Sequence, residues 1–107
     1  MENSDIRVWG DEEDKEELYR RIERDKNIAT RKIIAEIVDP PLIFTVVFGL
    51  INTLKIIYDF LKERKDKNVN VQISLPNGRV VSVKSTNADE LQVLIQELEE
   101  EKSAYIV

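Results

Sequence analysis

Apolar positions along this chain recur with two periods, and each change of period marks an element. Near the N-terminus Ile6 and Val8 flank Arg7, with Trp9 following, which predicts a short strand over residues 5–9. Gly10 breaks it. Asp11 stands where a helix N-cap belongs, and the helix from Glu12 carries acids in its first turn and Arg20, Arg21 and Arg24 later, as the helix dipole favours. Glu16–Arg20 and Glu17–Arg21 are i,i+4 pairs in the favourable order. The apolar face of this helix is thin: Leu18, Tyr19 and Ile22. Residues 25–27 read as its exit. The acidic cluster at 11–17 could be a metal or acid–base site, but first-turn carboxylates also mark a plain solvated helix start, and that reading is preferred.

Residues 28–38 fit both periods. Ile33, Ile34, Ile37 and Val38 make a helical stripe, while Ile33, Ala35 and Ile37 alternate and β-branched residues are dense. A second strand over about 31–38 is the reading taken, with a helix as the alternative.

The longest apolar run spans residues 41–65. Placed at about 100° per residue, Ile43, Val46, Val47, Leu50, Ile51, Leu54, Ile57, Tyr58 and Leu61 fall on one arc. Thr45, Gly49, Asn52, Lys55, Asp59, Lys62 and Glu63 fall opposite. The pattern predicts one long helix with Asp39 as N-cap and Pro40 and Pro41 in its first turn, where a missing N–H costs nothing. Its end is the cation-rich stretch 62–67. Phe44 and Phe48 lie outside the arc, toward the polar side. A bilayer-spanning helix needs roughly 20 mostly apolar residues with few charges. Asn52, Lys55 and Asp59 interrupt any such window, so this helix is expected to lie on a sheet.

The next signal is the clearest. Val69, Val71, Ile73 and Leu75 alternate with Asn70, Gln72 and Ser74, and Pro76-Asn77-Gly78 separates them from Val80, Val81 and Val83. A two-residue Asn77-Gly78 loop would set Ile73 against Ser82. A three-residue loop pairs Leu75 with Arg79, Ile73 with Val81 and Val71 with Val83, keeping apolar partners on one face. It also puts Pro76 and Asn77 at the centre of a type I turn and Gly78 at the left-handed bulge position. Residues 87–101 then form a helix, with Asn87 and Glu90 as a capping-box-like start and a stripe of Leu91, Leu94, Ile95 and Leu98. Its acidic end at 97–101 opposes the dipole.

The resulting order, β-α-β-α-β-β-α, predicts an α+β fold: a small sheet of about four strands with a hairpin in the C-terminal half, covered by one long central apolar helix and two amphipathic ones. A length of 107 residues suits a single domain over 1–107, with residues 1–4 and 102–107 as loosely ordered tails. The apolar C-terminus is expected to pack on its own sheet or stay loose rather than serve as a captured peptide.

Composition narrows the chemistry. The chain has no Cys and no His, which excludes thiol and imidazole catalysis and most zinc sites. A carboxylate-bound Mg²⁺ or Ca²⁺ stays open, although no EF-hand-like spacing is present. No cofactor is indicated. A net charge of −5 disfavours a nucleic-acid partner. High charge without cysteine is common in thermophile proteins. The polar, acidic first residues argue against a secretory signal, so a cytoplasmic protein is expected.

Four features in order resemble a family. A helix with Leu18 and Tyr19 ends in Arg24-Asp25. The pair Pro40-Pro41 precedes an apolar helix containing Gly49. That helix ends in Phe60, Leu61 and Arg64, and a V-x-V…P-x-G hairpin and a short helix follow. Over about residues 5–100 this resembles the effector-associated constant component domains of bacterial conflict systems. The family has a second glycine-rich turn after the proline pair, where this chain has Leu42-Ile43-Phe44-Thr45. The resemblance implies a small non-enzymatic partner of a protease or other effector, and it brings no catalytic residues.

No spacing of nucleophile, base or metal ligands points to an enzyme or to a small-molecule substrate. The expectation is therefore a protein-interaction or adaptor module, binding a protein partner or a second copy through an aromatic shoulder at Phe44, Phe48 and Asn52. The alternative is a membrane-associated component using the apolar helix 41–62, since its first half is nearly uncharged and cations gather beyond it.

Overall fold

The alternation around Arg7 does form a strand, β1 (Ser4–Trp9), and it becomes the centre of the sheet. A computed structural model describes residues 3–33 and 41–106, apart from the side chains of Ile33 and of residues 102–106. The elements after β1 are α1 (Glu12–Glu23), β2 (Ala29–Ile33), β3 (Leu42–Phe48), α2 (Leu50–Glu63), β4 (Asn70–Ser74), β5 (Val80–Lys84) and α3 (Asp89–Ile106). A 3₁₀ turn, Ser85–Asn87, leads into α3. The five strands form one antiparallel sheet in the order β2-β3-β1-β4-β5.

The expected long central helix is corrected. Its first half is β3, and only residues 50–63 are helical. The order is therefore β-α-β-β-α-β-β-α, with five strands rather than four. The physical reason lies in the segment itself. Ile43, Thr45, Val46 and Val47 are β-branched and stiff at χ1, which suits a pleated strand. Gly49 then adopts φ 85°, a left-handed backbone that ends the strand and turns the chain into α2. Asp39 and Pro40, the expected helix start, lie outside the described residues, as do residues 34–38 of the expected second strand.

Registers show which side chains share a face. Ile6 lies opposite Phe44 and Ile73, and Val8 opposite Leu42 and Val71. These residues face the helices and merge with Leu18 and Ile22 of α1, Leu54, Ile57, Phe60 and Leu61 of α2, and Leu91, Leu94 and Ile95 of α3 in one core. α2 lies between α1 and α3. The hairpin has the expected register: Ile73 opposite Val81, Val71 opposite Val83, and the Leu75 N–H bonded to the Arg79 carbonyl at 2.8 Å. The Gly78 N–H closes the turn on the Leu75 carbonyl at 3.0 Å, and Gly78 has φ 91°.

Of the residues expected in tails, Ser4 is buried within β1 and the backbone of α3 runs to Ile106, while residues 1–2 and 107 lie outside the described residues. The acidic start of α1 is also more than a solvated turn. Asp11 Oδ1 caps the Asp14 N–H at 3.0 Å, as expected, but Asp14 is buried and bonded to Arg64 Nε at 3.0 Å. Glu17 pairs with Arg21 at 3.2 Å as expected and also takes Arg20, at 3.1 Å.

Candidate interaction surface

The three residues expected on a partner surface do not form one. Phe44 is fully buried, opposite Ile6, with its ring edge-on to Tyr19 at 5.2 Å between centroids. Its aromatic side is core, because β3 carries alternate residues inward with period two and not along a helical arc. Phe48 is 62% exposed. A register step explains its exposure: Thr30 faces Val46 while Ala29 faces Phe48, so Val47 is an extra residue on β3. Such a bulge bends the strand and re-aims the next side chain. Asn52, in the first turn of α2, is half-buried. Phe48 and Asn52 thus flank the Gly49 corner, while Phe44 lies in the core farther back along β3.

That corner is rigidly placed. A Cβ built on Gly49 would come within 2.2 Å of the Asn27 carbonyl oxygen. The Thr53 N–H and Oγ1 both donate to the Gly49 carbonyl, each at 2.9 Å. This back-bond lets Thr53 be buried without an orphaned hydroxyl. The Asp25 carboxylate takes the Asn27 N–H at 2.8 Å and fixes the loop on the other side.

A second surface follows from topology. The core contains the helix-facing rows of β1, β3, β4 and β5, so the helices cover one side of the sheet. The opposite side carries Asp5, Arg7 and Trp9 on β1, Ile43 and Thr45 on β3, and Gln72 and Ser74 on β4. These side chains are half-buried, and Trp9 is 39% exposed. Thr45 Oγ1 donates to Asp5 Oδ1 at 2.8 Å. On this face Ile43 lies directly opposite Arg7, and Trp9 stands at the end of β1. The alternation Asp5-Ile6-Arg7-Val8 in the sequence shows that such a face exists. It does not show whether anything covers it.

Charged groups mainly tie helices together. Arg21 forks onto Glu63, at 2.6 and 3.0 Å, and Arg64 bonds to Asp14. Both guanidinium groups lie over the buried Phe60 ring, at 5.3 and 4.3 Å from its centroid. Hydrogen bonds from Arg21 hold the Glu63 and Glu17 carboxyls below their ordinary range. Asp11 is lowered as well, first by the Asp14 backbone N–H it accepts. A groove of about 590 Å³ runs between α2 and α3, and Lys55 and Glu99 approach across it at 3.5 Å. Among the described residues no group of three or more carboxylates is placed to hold a metal ion, and no helix is long and apolar enough to cross a membrane.

Compared with protein-family models, curated proteins and solved structures, the chain matches none. The residues on which the expected resemblance to effector-associated domains rests have these places in the fold. Leu18, Phe60 and Leu61 are core, Gly49 is the left-handed corner, Arg64 bonds to Asp14, and Gly78 closes the hairpin. All of them hold the fold rather than build a site.

Proposed function

We propose that this chain is a non-enzymatic protein-interaction module, an adaptor for an effector of the kind that bacterial conflict systems encode. The observation that supports it best is the one-sided sheet. Helices cover one face, and the other presents Trp9 and Ile43 beside Arg7 and Asp5. An aromatic and an aliphatic anchor within a polar surround is the composition that protein interfaces favour. The exposed Phe48 adds a separate apolar point at the Gly49 corner. The resemblance supplies the class of partner, a protease or another effector encoded nearby.

The test is co-expression with the product of a neighbouring effector-type gene, followed by affinity capture and light scattering. The expected result is retention by the native chain and at least tenfold weaker retention by Ile43→Asp or Phe48→Asp, each with an unchanged melting temperature. Absence of retention, or retention unaffected by either variant, sinks the proposal.

A further inference from the structure

We infer that the free edge of β5 is a docking site for an extended, cationic segment of a partner protein, which would join the sheet as a sixth strand beside α3. This rests on the interaction-module reading and adds to it a second contact, separate from Trp9, Ile43 and Phe48, through which the partner would be held.

Hydrogen-bond parity carries the argument. In an antiparallel ladder every second residue exchanges its N–H and C=O with the neighbouring strand, and the residues between point theirs away. The Leu75 N–H bonds to the Arg79 carbonyl, and at the far end the Ser85 N–H bonds to the Val69 carbonyl at 2.9 Å. Both bonds set the same parity, so Ile73–Val81 and Val71–Val83 are the bonded pairs between them. The backbone groups of Val80, Ser82 and Lys84 therefore point outward from the last strand of the sheet. Such a row is a template for an added strand. The other edge strand, β2, carries the exposed cations Arg31 and Lys32 and a bulged partner, devices that blunt an edge. β5 has a single exposed cation, Lys84 at its last position, a regular register against β4, an exposed Val80 and a half-buried Val81.

The flank of α3 selects the occupant. Glu90, Glu97 and Glu101 recur at spacings of seven and four and form one stripe along α3. Arg79 Nη1 bonds Glu97 at 2.9 Å, which ties this stripe to the start of β5. The other side of α3, with Gln92, Val93, Gln96 and Glu99, lines the groove against α2. A strand added to β5 would place alternate side chains under the stripe, beside the half-buried Val81 and within reach of its carboxylates. Glu90 and Glu97 are about 10 Å apart along a helix, and strand residues four apart span about 13 Å. A lysine-aliphatic-lysine alternation fits that spacing. A second copy of β5 fits poorly, since it would bring two acidic α3 flanks together.

The probe is a synthetic seven-residue peptide with threonine at odd positions and lysine, valine and lysine at the even ones. A control carries glutamate in place of lysine. Amide hydrogen exchange is followed residue by residue on the full chain. The expected result is at least tenfold slower exchange at Val80, Ser82 and Lys84 with the lysine peptide. At least tenfold weaker binding is expected for the glutamate peptide and for the E90Q/E97Q variant. Equal binding of both peptides, protection elsewhere (at Trp9 or Phe48, for example), no protection at all, or doubling of mass without peptide overturns the inference. If an effector is captured while the β5 amides stay unprotected, the edge assignment fails and the module stands. If no effector is captured, the module reading fails, and the peptide experiment still reports on the edge.

Discussion

Gly49 and Gly78 both have positive φ, yet their surroundings separate them. At Gly78 nothing lies within 4 Å of an added Cβ, so Gly78→Ala carries only the left-handed backbone cost of about 1–2 kcal/mol. At Gly49 the same cost adds to a 2.2 Å clash with backbone, which cannot swing aside. Gly49→Ala is expected to lose clearly more stability than Gly78→Ala in urea unfolding, and an equal loss would refute the account of the corner. Two phenylalanines give a similar contrast. Phe44→Ala empties a buried, edge-packed site and should cost about 3–5 kcal/mol, whereas Phe48→Ala at its exposed position should stay within about 0.5 kcal/mol. Arg64→Met would remove the 3.0 Å hydrogen bond to the buried Asp14 carboxylate and leave it the looser contact with Lys67, at 3.6 Å. It should cost about 1–3 kcal/mol, the penalty of an unsatisfied buried polar group, read by the same unfolding midpoint. Of these residues, Gly78 was legible in sequence because its turn is local. Asp14 was not, since its partner lies fifty positions away.

Elements differ in how much of their structure they carry within themselves. The β4–β5 hairpin was legible to the register, because parity and turn chemistry agree over fifteen consecutive residues, 70–84. Deleting Pro76 should leave a two-residue loop and push Val81 and Val83 off the core face. At about 1.5–3 kcal/mol per buried aliphatic side chain, the deletion is expected to unfold the domain or abolish the β4–β5 amide protection. A stable protein with that protection intact would contradict the parity argument. The segment 41–65 was read as one helix because both periods fit it. In Leu42–Phe48 only Thr45 is polar, so alternation leaves almost no trace in polarity. Its β-branched density and the glycine after it were the available signals. In α2 the buried arc includes Thr53 and Phe60, which the projection did not favour. Thr53 is accepted because its hydroxyl turns back onto Gly49, and Phe60 because two guanidinium groups cap its ring.

For the whole molecule, pH dependence follows from the α1–α2 bridge. Hydrogen bonds from Arg21 depress the folded-state acidities of Glu63 and Glu17, so their contribution is present above the unfolded carboxyl range and is lost as pH falls through the lower folded values. Stability should therefore decline on acidification below about pH 4.5. Arg21→Met should flatten that decline while lowering the plateau at pH 7. Denaturant midpoints between pH 3 and 7 would show it, and an acid limb unchanged in Arg21→Met would remove the bridge as the cause. High salt should shrink the difference, because these carboxylates are solvent-exposed and screened.

By itself the sequence determined the α+β class, the first strand, the capped acidic helix, the hairpin with its register and the last helix. Each of these depends on residues close together in the chain. It also excluded imidazole and thiol chemistry, which composition alone decides. Only the tertiary structure decided that 42–48 pairs as a strand between β2 and β1, that Phe44 is core while Phe48 is exposed, and that the helices cover one face of the sheet. Those outcomes depend on which distant partner each backbone hydrogen bond finds. In a run where nearly every residue is apolar, the local pattern does not specify that partner.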